Sequence, residues 1–418
     1  MSTISNSPKA EFRLSMLIYD TRYRSMTIQV VALMAFMLMA AWIINNTAQN
    51  LADLGKPIQF GFLTESAQYD INQSLIEYDN QDSHLRASVV GLLNTLLVAV
   101  LGCALATVLG VLIGVLRLST NWLVARIMTV YVEMFRNVPV LLWIVFVMAI
   151  LIESLPQPRA FRGENPEASM LFGDSVALTN RGFYIPEPLF SRPLGDLSVL
   201  GAFNVSLEFL VIVAVLVVSF FVSGVIRKRA DRIQNETGIR PTTWYLRLVV
   251  IVLPVLAVLI ALGFHVGKPE LKGFNFQGGI HMRTSLIALW LALSFYTAAF
   301  IAEIVRGGIL AISRGQSEAA AALGLRPKRI MSLVILPQAM RVIIPPLISQ
   351  YLNLTKNSSL AIAVGYMDIT GTLGGITMNQ TGRELECVLL LMLVYLTISL
   401  IISLVMNWYN DRVKLVER

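Results

Sequence analysis

The sequence predicts an all-α, polytopic membrane protein of about eight transmembrane helices, and three observations carry that reading. Of its 418 residues, 56% are hydrophobic and only 14% charged, with a mean hydropathy of +0.67; soluble domains carry roughly a quarter charged residues. Long apolar runs recur along the chain, each close to the about 20 residues a helix needs to cross a bilayer core. Lysine and arginine concentrate in alternate loops between those runs, the pattern of cytoplasmic loops.

In order, the runs fall at 26–44, 88–116, 127–152, 205–226, 246–264, 284–303, 331–354 and 386–408. The first reads as a retained span, because no small-x-small cleavage site follows it. The seventh holds Pro337, Pro345 and Pro346, which a membrane helix tolerates when neighbours re-satisfy the freed backbone groups, usually with a kink. Cations gather in the leading segment (Lys9, Arg13, Arg22, Arg24), at Arg117 and Arg126, at Arg227, Lys228, Arg229, Arg232 and Arg240, between the sixth and seventh runs, and at Arg412, Lys414 and Arg418. With eight spans all of these share one side, so both termini are expected in the cytoplasm. The loop after the first run faces the other way, with Asp53, Glu65, Asp70, Glu77, Asp79 and Asp82 against Lys56 and Arg86. The net charge of +7 is thus a topology signal and calls for no nucleic acid.

Five regions are expected: 1–87, an N-terminal segment with the first span and an acidic external loop; 88–152, the first part of a core; 153–283, an insert with a long external loop and two further spans; 284–408, the second part of the core; and a 409–418 tail. Residues 153–204 read either as a solvated connector or as a docking surface for an external partner.

Cys103 and Cys387 lie inside apolar runs, and His84, His265 and His281 stand singly. That distribution offers neither a disulfide framework nor a metal site. A phosphate-cradling loop G-x-x-x-x-G-K-[ST] is absent, since Gly267-Lys268 is followed by Pro269. The chain is thus not expected to be an ATPase of that class, and no cofactor is expected in it.

One polar interruption organises the rest: Glu318-Ala319-Ala320-Ala321-Ala322-Leu323-Gly324-Leu325-Arg326-Pro327-Lys328-Arg329. Four alanines favour a helix, and Glu318 suits the positive end of its dipole. Gly324 can adopt the left-handed conformation that stops a helix, and Pro327 is pre-set to open the next. The expectation is a helix of about two turns, a tight corner, and a new helix returning to the membrane. Its small side chains would let another protein approach the backbone closely, and Arg314, Arg326, Lys328 and Arg329 ring it with positive charge. An ordinary cytoplasmic turn has the same composition.

The spacing resembles the "EAA" loop of the membrane permeases of ATP-binding-cassette importers: Glu-Ala-Ala, glycine six residues after Glu318, then Leu336-Pro337. Val334 stands where that pattern has isoleucine, a small apolar exchange. The resemblance implies that Glu318, Ala319, Ala320, Gly324, Arg314 and Arg326 seat the loop in an ATPase subunit as a coupling helix.

Other motifs are similar to polar and general L-amino-acid permeases. Tyr131-Val132-Glu133-Met134-Phe135-Arg136-Asn137-Val138-Pro139-Val140-Leu141 matches the second core helix; Glu133 and Arg136 share a helix face and can pair. Glu303 and Arg306 repeat that spacing just before the polar loop, either bracing it or anchoring a helix end at headgroup depth. Asn353, Lys356, Asn357, Ser358 and Ser359 suit a broken helix lining a wet cavity, or a plain surface loop. Asn94 and Thr95 either face the pathway or glue helices together.

The resemblance covers about 88–152 and 284–408, and it implies a type I importer permease of the bacterial inner membrane, working by alternating access. It also implies partners: two ATP-binding subunits carrying ATP and Mg, a second permease, identical or related, and an extracytoplasmic amino-acid-binding protein. An ion-gradient-driven secondary transporter is the alternative, and it would be expected to show two matching halves.

Overall fold

The computed structural model describes residues 16–163, 166–199 and 203–413, so Lys9, Arg13, Lys414 and Arg418 lie outside the described residues. The longer helices among the described residues are α1 (Thr21–Asp53), α2 (His84–Leu116), α3 (Trp122–Asn137), α4 (Val140–Ser154), α5 (Leu207–Thr237), α6 (Trp244–Ala261), α7 (Thr284–Leu310), α8 (Arg314–Ala322), α9 (Leu336–Asn357) and α10 (Glu384–Val413). Among the described residues, eight helical segments are long and apolar enough to cross a membrane, as the hydropathy predicts.

Two compact units are present, divided at Gly61. The first holds α1, 33 residues long, whose most apolar stretch has no residue buried within the chain. An all-round apolar helix of this length is stable only in lipid or against another apolar surface.

The second unit is built around α7. Two-thirds of its most apolar stretch is buried, and α2, α4 and α9 pack on it. Leu286, Leu289, Leu293 and Ile301 of α7 meet Val98 and Ala106 of α2, Ile144 of α4 and Ile343 of α9 in one core. Close approach of α2 to α7 depends on small residues: a Cβ at Gly110 would fall 2.6 Å from Ile301 Cβ, and one at Gly114 would fall 2.7 Å from the Ala302 carbonyl oxygen. Van der Waals packing of this kind drives helix association where no water is available to be released.

Residues 62–83 join this unit rather than forming a free loop. Ala67, Tyr69 and Ile71 pack on Ala87 and Val90 of α2. The second compact unit begins at Phe62.

The insert carries α5 and α6, which pack on each other and are joined by Arg247 Nε donating to Ser223 Oγ at 3.1 Å. Its extramembrane part is not a featureless connector. Among the described residues, nine short strands form there: β1 (Ala177–Thr179), β2 (Gly182–Ile185), β3 (Glu187–Phe190), β4 (Asp196–Val199), β5 (Phe203–Ser206), β6 (Phe264–Gly267), β7 (Glu270–Lys272), β8 (Asn275–Gln277) and β9 (Ile280–Arg283). They pair antiparallel as β1–β2–β9, β3–β6, β4–β5 and β7–β8. Tyr184 and Phe276 are buried there with Ala177, a small core that the Pro/Gly-rich composition concealed.

The third apolar run departs from expectation. Residues 127–152 are not one span: α3 ends at Asn137, Val138 and Pro139 are extended, and α4 begins at Val140. Proline disfavours helical geometry at the residue before it, so the amphipathic α3 and the apolar α4 are separate elements.

Candidate functional site

Two polar regions lie towards opposite ends of α7, a helix of 27 residues and so about 40 Å long. At its C-terminal end, Glu303 accepts from Arg306 at 2.6 Å and also pairs with Arg117 at the end of α2. The expected i, i+3 pair therefore exists but is a triad, and Arg117 was not singled out by the sequence because its partner is 186 residues away. The side chain of Arg117 is only 8% exposed.

After Leu310 the chain turns into α8, nine residues long. It starts at Arg314, so Glu318 sits beyond the first turn and does not cap the dipole as expected. The helix stops where predicted: Gly324 takes φ +79° and its N–H donates to the Ala321 carbonyl at 2.9 Å. Arg326 precedes Pro327, the first residue of a short helix reaching Ile330. A widened turn, Met331–Ile335, then leads into α9.

The alanine face is two-sided. Ala320 is buried against the chain itself, whereas Glu318, Ala319, Ala321 and Ala322 are exposed. Arg314 and Arg326 are exposed beside them, and Leu323, 82% exposed, caps the corner. A bulky leucine held in the open among arginines is the feature of this turn that its own fold leaves unused.

The second region is the broken helix after α9. Helix α9 ends at Asn357; Ser358–Val364 tightens to a 3₁₀ turn, and Gly365 reverses at φ +67°. Ser358 Oγ and Ser359 Oγ donate back to the carbonyls of Thr355 and Lys356 at 2.8 and 2.7 Å, which satisfies backbone left over as the α-helix ends. Asn353 and Lys356 are exposed, and Asn357 is half-buried.

This segment is held to α2 by Asn94 and Thr95. Asn94 Nδ2 donates to the carbonyls of Gln73 and Met367 at 2.7 and 2.8 Å, and Thr95 Oγ1 accepts from the Ile369 N–H at 3.0 Å. These bonds join α2 to the residues that follow Gly365. Asp368, fully buried, accepts from the Gly371 N–H at 2.8 Å and from Tyr395 Oη at 3.3 Å. Sequence reasoning passed over it, although Asp after a left-handed Gly365 is a helix-start signal.

Glu133 and Arg136 do not pair. Glu133 accepts from its neighbour Asn137 at 3.5 Å, while Arg136 lies over the Phe300 ring at 5.6 Å. Both are exposed on α3, which lets each side chain take the partner its own rotamer reaches. Tyr131 ties this helix to α7, donating to the Phe295 carbonyl at 2.7 Å.

Among the described residues, eight helical segments are long and apolar enough to cross a membrane and a short exposed helix is set between two of them, the build of a membrane transport subunit. Residues 241–415 match the family of binding-protein-dependent transport system inner membrane components. The glutamate/glutamine/aspartate/asparagine transport system permease protein BztB of Rhodobacter capsulatus is 60% identical over 426 residues, covering 100% of both chains. The general L-amino acid transport system permease protein AapQ of Rhizobium johnstonii is 44% identical over 97% of this chain and 96% of its own. A shorter relative, the probable glutamine permease GlnM of Bacillus subtilis, is 32% identical over 84% of its own length but 46% of this chain. The chain belongs to the family of binding-protein-dependent inner-membrane permeases of ABC importers.

Proposed function

We propose that this chain forms one half of the translocation pathway of an importer for L-amino acids, driven by ATP hydrolysed on separate subunits. The observation that carries the coupling role is the exposed Leu323 corner, set on a helix whose inward residue, Ala320, is packed onto the chain. Two ATP-binding subunits, with ATP and Mg, would grip Glu318, Ala319, Gly324, Arg314 and Arg326 through this corner. Ala320 would transmit the movement inward. The Arg117–Glu303–Arg306 triad would then pass it to α2 and α7, because one carboxylate ties both helix ends together.

On the same reading both termini are cytoplasmic, and a second permease, identical or related, completes the pathway. An amino-acid-binding protein delivers substrate at the opposite face. Asn353, Lys356, Asn357, Ser358 and Ser359 line or gate the route, with Asn94 and Thr95 holding the broken helix in place. Glu133 and Arg136 are gating candidates on the outside of α3. Nucleotide binding can drive such a cycle only if it favours one arrangement of the spans over the other. The amino-acid substrate rests on the relatives, whose names specify amino-acid transport; the same relatives weigh against an ion-gradient transporter.

The test is Ala319→Cys in the assembled transporter, treated with a short bifunctional cross-linker. Capture of a nucleotide-hydrolysing subunit is expected. Capture of none, or a topology reporter that puts residues 313–326 outside the cell, would overturn the reading.

A further inference from the structure

At the N-terminal end of α7, remote from the coupling corner, the insert and the core together line an open polar cleft of about 460 Å³, within the roughly 300–1,000 Å³ range of small-molecule sites. The insert contributes Asn180 and Arg181 from the turn between β1 and β2, and the core contributes Thr284 and Ser285 from the first turn of α7. Arg283 at the end of β9 stands between them, and Gly365 of the broken helix closes another wall. Among the described residues, no aspartate or glutamate lines this space.

The two arginines are not neutralised by the fold. Arg181 Nη1 donates to the Phe274 carbonyl at 3.3 Å and Arg283 Nε to the Asn72 carbonyl at 2.8 Å. Neither has a carboxylate partner among the described residues. A third charge is not expected from His281: burial, the largest influence, and the nearby Arg283 hold its pKa below the usual imidazole value, against the raising pull of the Arg181 carbonyl. Its ring is stacked on Tyr184 at 4.2 Å. The start of α7 lacks a side-chain cap, so its dipole adds to the positive field. Asn180 Oδ1, by contrast, is a buried acceptor with no donor. Two fixed cations, a helix start and one lone acceptor complement two carboxylates and one ammonium group.

We infer that the insert and the core jointly form an entry site that takes the carboxylates of an acidic amino acid on Arg181 and Arg283 before it reaches the pathway. The inference rests on the reading of the chain as an amino-acid importer and assigns to the insert a share in selectivity.

The test uses the complete transporter in proteoliposomes, with the delivery protein loaded with radiolabelled glutamate or glutamine. For Arg181→Gln, the glutamate-to-glutamine uptake ratio is expected to fall about tenfold, the loss of one charge-assisted contact, while glutamine uptake holds. Arg181→Lys should recover part of the ratio. Arg283→Gln does not discriminate, because the α-carboxylate left for Arg283 is common to both substrates, so Arg181 is the position tested. An unchanged ratio would overturn the inference. So would equal loss of both substrates, the signature of an arginine that docks the delivery protein. Failure of the unmutated transporter to import either amino acid would instead remove the functional reading beneath it.

Discussion

Replacing Glu303 with glutamine should be the most damaging single change at the coupling end of α7, and the structure sets its size. The carboxylate serves Arg117 and Arg306 at once, and the Nε atoms of both arginines are buried without another partner. Removing one member of a buried ion pair costs about 3–5 kcal/mol, mainly through the charge left behind. Arg117 is 8% exposed, but Glu303 itself is 32% exposed, so water can enter and the expected cost is about 2–3 kcal/mol. Arg117→Gln should cost less, about 1 kcal/mol, because Glu303 keeps Arg306 and a buried, half-satisfied cation is removed. The double variant should then fall short of the sum of the two by about 1 kcal/mol. Unfolding titrations of the purified protein in mixed micelles measure all three. The reasoning fails if Arg117→Gln costs as much as Glu303→Gln, or if the two effects add.

Three further outcomes follow from local geometry. Gly324→Ala should lower stability by about 1 kcal/mol for its left-handed backbone alone, since a Cβ there meets nothing within 4 Å; Gly324→Asn should be milder. Gly324→Asp should abolish uptake with little further loss of stability, and normal uptake by that variant would count heavily against a coupling role. Gly114→Leu should cost at least the about 1–3 kcal/mol of an overpacked core, because its Cβ would strike the Ala302 carbonyl oxygen and Val305; Gly307→Ala, with open space around it, is the matched control in thermal melts. Asp368→Ala should cost about 1–2 kcal/mol through loss of its cap on Gly371, and Asp368→Asn should recover part of this.

What the sequence disclosed depended on whether the signal was local. The count of eight spans, the Gly324 stop and the Pro327 start are each written within about twenty residues, and the structure has them, with the third span starting only at Val140. Glu133 and Arg136 show the limit of that reading: their spacing permits a pair, yet Phe300 and Asn137 offer each side chain a nearer alternative. Arg117 and the Gly110/Gly114 contact face were invisible for the opposite reason, since each acquires its meaning from a partner brought close only by folding. The strands of the insert were hidden because runs of three or four residues are too short to set up a period-two pattern.

The segment expected as an insert lies in the chain between α4 and α7. Its entry and exit are fastened at one point. Asn180 N–H donates to the Pro156 carbonyl just beyond α4, and the Asn180 carbonyl accepts from Thr284 Oγ1 at the first residue of α7. Strand β2 pairs with β9 over Gly182–Ile185 and Ile280–Arg283, so the chain leaves the core and returns to it through a single antiparallel ladder. The entropic cost of a closed loop grows only slowly with its length, and a ladder at the neck confines that cost to the insert. Helices α4 and α7 can then pack as sequence neighbours would, although more than a hundred residues separate them. The same fastening fixes Arg181 and Arg283 at the ends of β2 and β9 as register partners of Gly182 or its direct neighbour. A change that loosened the neck, such as Thr284→Val, should therefore disturb selectivity between acidic and neutral substrates before it disturbs coupling at the far end of α7.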